Sequence, residues 1–123
     1  MDFRGLELNS REPVYQQIAA YVKRQIFLGA VQTGVPLPSR REIAAQLEVN
    51  PNTVQKAFRL MESEGFVMTS GNTGSIILAD EGIRARIADE LTRGFISEFV
   101  RRAKENRLSL PRVISLLGEL WDT

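Results

Sequence analysis

Between Asn50 and Ser63 the chain carries a set of side chains suited to contacting a duplex edge. At about 100° per residue, Asn52, Lys56, Arg59 and Ser63 share one side of a helix, opposite Val54, Ala57, Phe58 and Met61, with Gln55 on the flank. Side-chain amides can bond an adenine edge through two hydrogen bonds, and arginine or lysine bonds guanine or phosphate. The segment Asn50-Pro51-Asn52-Thr53 opens this helix, with asparagine as the cap and proline at the first helical position. Backbone N–H groups at such a start favour a phosphate. Asn50, Pro51, Asn52, Thr53, Gln55, Lys56 and Arg59 are therefore candidate contacts. The competing reading is a solvated polar face.

A second cluster precedes it. Ser39-Arg40-Arg41-Glu42 has capping-box spacing, in which the serine covers an early N–H and the glutamate reaches back. Cations are disfavoured at a helix start by about 0.3–1 kcal/mol. Two adjacent arginines there call for a partner, and a phosphate held by Ser39, Arg40 and Arg41 would supply one; a solvated pair offset by Glu42 is the alternative. A third candidate is the turn at Gly71 and Asn72, where glycine allows close backbone approach but equally just allows the turn.

Several elements must position these groups. Residues 1–9 are a lead-in whose Phe3, Leu6 and Leu8 can pack in extended form. Helix 1 is predicted to start between Ser10 and Pro13, with Val14, Ile18, Tyr21, Val22, Ile26 and Phe27 on its apolar face, and to end at Gly29. Residues 30–38, with Gly34, Pro36 and Pro38, read as a loop. A short helix follows Ser39, burying Ile43, Ala44 and Leu47, then the helix opened by Asn50 and closed by Gly65. Residues 66–69 and 75–79 read as strands around Ser70-Gly71-Asn72-Thr73-Gly74, a hairpin signal. The fold class is mainly α with a small β-hairpin. Residues 1–79 are predicted to form a winged helix-turn-helix domain, and residues 80–123 a two-helix tail.

In the tail, Ile83, Ile87, Leu91, Phe95 and Phe99 recur every four residues, predicting a helix of about six turns. Gly94 interrupts it at a cost of about 1 kcal/mol relative to alanine. After a break at 106–110, Pro111 opens a second helix carrying Val113, Ile114, Leu117, Leu120 and Trp121. Two apolar stripes on so short a segment cannot bury a core of their own. Pairing with a second copy into a helical bundle solves this, so Ile83, Ile87, Leu91, Phe95, Phe99, Val113, Leu117, Leu120 and Trp121 are candidate dimerisation residues. Folding back onto the chain's own first domain is the alternative.

Composition narrows the function classes. The chain has 123 residues, no cysteine and no histidine, which removes disulfides, thiolate metal sites and the commonest general base and metal ligand. No phosphate loop, nucleophile motif or metal-ligand spacing is present, so no enzymatic activity, cofactor or metal is expected. Net charge is only +1, with eight Lys/Arg against seven Asp/Glu in residues 1–79 and eight against eight in 80–123. Any binding of nucleic acid must come from a local cluster. No secretory signal and no membrane-length apolar run appear; the expected location is the cytoplasm, with no membrane association.

Leu37-Pro38-Ser39-Arg40-Arg41-Glu42-Ile43-Ala44, Val49-Asn50-Pro51-Asn52-Thr53-Val54-Gln55-Lys56-Ala57-Phe58 and Glu62-Ser63-Glu64-Gly65-Phe66-Val67 together resemble the GntR family of bacterial regulators. Pro13-Val14-Tyr15-Gln16-Gln17-Ile18 fits the same pattern, and Asn50-Pro51-Asn52-Thr53-Val54 with the short tail is similar to the YtrA-like subgroup. The resemblance covers residues 10–79 by motif and the tail by length and two-helix pattern. It implies DNA contacts from Ser39, Arg41, Asn50, Asn52, Thr53, Gln55, Lys56 and the turn at Gly71, and repression of a nearby operon. The sequence departs from the family at Arg40, a position usually acidic or apolar, and in a longer wing turn without a cation. The expected function is a sequence-specific transcriptional regulator, a repressor, binding a palindromic double-stranded DNA operator as a homodimer, with any small-molecule effector left open. A winged-helix protein-interaction module that does not bind DNA is the alternative.

Overall fold

The computed structural model describes residues 1–71 and 74–123. Elements follow in the order α1 (Val14–Phe27), α2 (Arg40–Leu47), α3 (Pro51–Glu64), β1 (Val67–Ser70), β2 (Gly74–Ile77), α4 (Glu81–Glu105) and α5 (Leu110–Leu120). They fall into two compact units, Met1–Ala88 and Asp89–Thr123, with α4 beginning in the first and ending in the second.

Local chemistry sets the helix boundaries of the first unit. Pro13 caps α1, and Gly29 follows it at φ +74°, as a left-handed C-terminal position requires. The Ser39 capping box is complete: Glu42 N–H donates to Ser39 Oγ at 3.1 Å, and Ser39 N–H donates to Glu42 Oε1 at 3.3 Å. Asn50 caps α3 by accepting from Asn52 N–H at 2.8 Å, and Gly65 ends it at φ +87°.

The core gathers one face from each element. Ile18, Val22 and Ile26 of α1, Ile43 of α2, and Val54, Phe58 and Met61 of α3 are fully buried, with Phe66 and Ile77 from the hairpin. Leu47, expected in the core, is only half-buried beside the α2 end. Phe3 is also fully buried, its ring centre 5.4 Å from that of Tyr21 and its N–H donating to Gln46 Oε1 at 3.1 Å. The lead-in therefore closes the α1–α2 side of the core.

Gln17 and Lys23 are buried polar side chains of α1. Gln17 accepts from Asn9 N–H and donates to Asn9 O, both at 2.9 Å, and donates to Glu12 O at 2.7 Å. A buried amide is tolerated when its donors and acceptor are all engaged, and here it works as a substitute strand edge for residue 9. Lys23 joins α1 to α3 through Glu64 at 2.6 Å.

The hairpin register pairs Val67 with Ile77, Met68 with Ile76, Thr69 with Ser75 and Ser70 with Gly74. Residues 34–37, read as loop from Gly34 and Pro36, line the other edge of β2. Gly34 N–H donates to Ile77 O at 2.8 Å, Ile77 N–H to Val35 O at 2.9 Å, and Leu37 N–H to Ser75 O at 2.9 Å. Pro36 sits opposite Ile76, and its missing N–H costs nothing because that position faces away from β2.

The 25 residues of α4 make about seven turns, one more than the periodicity predicted. Its start is tied to the first unit, Arg86 Nη2 donating to Glu64 O. Ile87, expected to face a second copy, is 1% exposed and so belongs to the interior of this chain. In the second unit, Arg107 adopts φ +55° in the break before α5, and Ser109 caps that helix by accepting from Arg112 N–H. No side chain of α5 is buried. Phe95, Phe99, Leu117, Leu120 and Trp121 are all exposed, Trp121 by 80%. Phe99, Leu108, Val113, Leu116, Leu117 and Leu120 line an apolar groove of about 220 Å³.

Candidate nucleic-acid interface

α2 and α3 are joined by Glu48-Val49-Asn50, with Glu48 in the left-handed region at φ +56°. This tight turn, with α1 packed behind, holds α3 so that Val54, Ala57, Phe58 and Met61 face inward. Asn52, Lys56, Arg59 and Ser63 are all exposed, and Gln55 and Thr53 are half-exposed. The structure thus brings the expected reading face together on one open surface.

Asn50 and Pro51 serve the helix start itself. Asn50 Oδ1 accepts from the Asn52 N–H, which holds the side chain at the helix start with its amide nitrogen able to donate to another molecule. Ser39 is similar: its oxygen accepts from Glu42 N–H, leaving its hydroxyl hydrogen to donate to an anion. Arg41, next to it, is exposed.

Arg40 stands differently from its neighbour. Its guanidinium carbon lies 4.4 Å from the centre of the Phe58 ring, and Nη2 is 3.7 Å from Glu62 Oε1. Expected among the phosphate contacts, it is turned toward its own chain. The aromatic face and the carboxylate of α3 supply the offset for a cation at a helix start that the sequence suggested a phosphate would supply.

Sequence reasoning missed Tyr15. Lys56 Nζ lies 4.3 Å from the centre of its ring, and Gln16 Nε2 donates to its hydroxyl at 3.2 Å. The available signal was an aromatic residue just off the α1 stripe of Val14, Ile18 and Val22. Gly71 is exposed at the hairpin end, and Asn72 lies outside the described residues.

A helix pair with the second helix presenting an open amide-and-cation face, followed by a two-stranded hairpin, defines a winged helix-turn-helix protein. The profile of the "Bacterial regulatory proteins, gntR family" matches residues 14–77, and the chain belongs to that family of transcriptional regulators.

It is 36% identical over 99 residues to the uncharacterized HTH-type transcriptional regulator YhcF of Bacillus subtilis, covering 80% of this chain and 82% of YhcF. To the HTH-type transcriptional repressor YtrA of the same organism it is 38% identical over 72 residues, 58% of this chain and 55% of YtrA. Among solved structures, a GntR family transcriptional regulator from Listeria monocytogenes superposes with a TM-score of 0.82 at 25% identity, covering 92% of this chain and 99% of that one. YtrA from Sulfolobus acidocaldarius, a GntR-family transcription factor, gives a TM-score of 0.58 at 28% identity over 85% of this chain and 99% of that one. These relatives place the chain with the YtrA-like members of the family. Among the described residues no helix is long and apolar enough to cross a membrane.

Proposed function

We propose that the protein represses transcription by binding a palindromic DNA operator as a homodimer, with α3 lying in the major groove. One observation carries this reading: Asn52, Lys56 and Arg59 stand in solvent on α3 while the opposite side of the same helix is buried. A merely solvated helix does not need two amides beside two cations at the end nearest a tight turn, which is where recognition helices meet bases. Asn52 and Gln55 read base edges; Lys56 and Arg59 bond guanine or phosphate; Thr53, Asn50 and the α3 start, with Arg41 and the Ser39 hydroxyl at the α2 start, hold the backbone.

The tail supplies the second half of the reading. Leu91, Phe95, Phe99, Val113, Leu117, Leu120 and Trp121 are half- or fully exposed, an apolar surface that a stable monomer does not leave in water. A second copy covers it and sets two reading helices on half-sites about one turn of DNA, or 34 Å, apart. The name of YtrA as a repressor and a more distant structural neighbour solved with its promoter DNA, S. agalactiae BusR, agree with this reading.

Selection of bound duplexes from a random pool, at a stated salt concentration, tests it. The expected result is an inverted repeat whose half-sites are about one helical turn apart. Recovery of no preferred sequence, with binding equally weak to every duplex, would overturn it and favour a protein-interaction role for the same face.

A further inference from the structure

Glu62, in the last turn of α3, is contacted from two sides. Arg40 Nη2 approaches its Oε1 at 3.7 Å, and Thr69 Oγ1 donates to the same oxygen at 2.6 Å. Thr69 Oγ1 also lies 2.6 Å from Ser75 Oγ. A hydroxyl has one hydrogen; because that of Thr69 points to the carboxylate, Ser75 must donate to Thr69. The order is Ser75 to Thr69 to Glu62, with the Arg40 cation closing the far end.

Each member belongs to a different element. Arg40 opens α2, Glu62 lies in the last turn of α3, and Thr69 and Ser75 face each other across β1 and β2, one pair from the Ser70–Gly74 pair at the turn. Ser75 is 5% exposed. The Arg40 Nε is buried with no hydrogen-bond partner among the described residues. Arg40 is thus held by the Phe58 ring and the Glu62 charge, not by local hydrogen bonds of its Nε.

We infer that Arg40, Glu62, Thr69 and Ser75 form one polar chain that sets the angle of the hairpin against α3. Arg40 is then a positioning residue for DNA recognition that acts through Glu62, and it does not contact phosphate itself. The inference rests on the reading of α3 as the DNA-contacting helix. Its internal part stands without DNA.

Full-length protein with Arg40→Ala, Arg40→Lys, Glu62→Gln, Thr69→Val and the Arg40→Ala/Glu62→Gln pair tests this in two arms. Without DNA, hydrogen exchange of the hairpin amides is expected to speed up about three- to tenfold in Arg40→Ala and in Glu62→Gln, and the pair to be no faster than either single change. Arg40→Lys, which keeps a cation for Glu62, restores most of the protection. Thr69→Val breaks the chain at its other end and gives the same acceleration should Arg40→Ala not fold. Unchanged hairpin exchange in both overturns the chain.

With a duplex recovered from the random pool, Arg40→Ala is expected to bind several-fold more weakly with the wild-type salt slope. Loss of a phosphate contact would instead reduce that slope by about 0.9, and this result overturns the positioning role. Absence of binding to every duplex removes the reading of α3, while the exchange arm still decides the chain.

Discussion

The Lys56 ammonium lies 4.3 Å from the centre of the Tyr15 ring, so the first turn of α1 reaches the open amide-and-cation face of α3. A lysine on an open helix face samples many rotamers, and fixing it costs up to about 2 kcal/mol of side-chain entropy. An aromatic face that attracts the cation restricts it in advance. Tyr15→Ala is expected to weaken binding of a selected duplex by about 0.5–1 kcal/mol, a two- to fivefold loss, while Tyr15→Phe keeps most of the affinity. Titration at fixed salt distinguishes them; equal losses in both would give the hydroxyl, and not the ring, the working role.

The amides of α3 carry a different expectation. Asn52→Ala or Gln55→Ala should relax preference at one base position per half-site by about 1–3 kcal/mol. Arg41→Ala should weaken selected and unrelated duplexes alike and flatten the salt dependence. Competition binding against single-base variants of the selected site reads both effects. Wild-type behaviour in all three variants would show that the contacts lie elsewhere.

The tail prediction concerns oligomeric state. Leu117→Glu with Leu120→Glu removes apolar area from the α5 surface without touching a buried residue, so the chain is expected to stay folded and to sediment as a monomer. Operator affinity should then drop steeply because the two half-sites no longer share one ligand. The chain has one tryptophan, Trp121, and it is exposed. Its emission should shift to the blue as wild-type protein is concentrated and stay unshifted in the double variant.

Stability of the first unit depends on two features at the end of α3. Glu64→Ala removes the carboxylate 2.6 Å from Lys23 Nζ, whose side chain is 10% exposed, and is expected to cost about 1–3 kcal/mol. Gly65→Ala places a Cβ at an ordinary 3.8 Å from Arg86 Nη2, so its cost comes from the backbone at φ +87°, about 1–2 kcal/mol. Denaturant midpoints measure both. A Gly65→Ala variant as stable as wild type would mean that the α3 end rearranges freely.

The elements with strong local signals were legible in the sequence. Ser39 with Glu42, and Asn50 with Pro51, mark helix starts because capping is a contact between near neighbours in the chain. The buried set of Val54, Ala57, Phe58 and Met61 follows from period alone. What escaped depended on partners distant in sequence. Pro36 and Gly34 look like loop residues, yet β2 pairs with them. Arg40 looks like an anion ligand until Phe58 and Glu62 are seen beside it. Gln17 looks like surface until Asn9 is brought back onto it, and Ile87 fits the tail stripe although it is interior.

Residues 34–37 leave β2 with a neighbour on each side, and Pro36 gives that bridging segment a position with no donor. A free, regular edge invites pairing with another molecule's strand, the first step toward fibres. The proline that hides this segment from pattern reading also blunts that margin of the sheet against polymerisation.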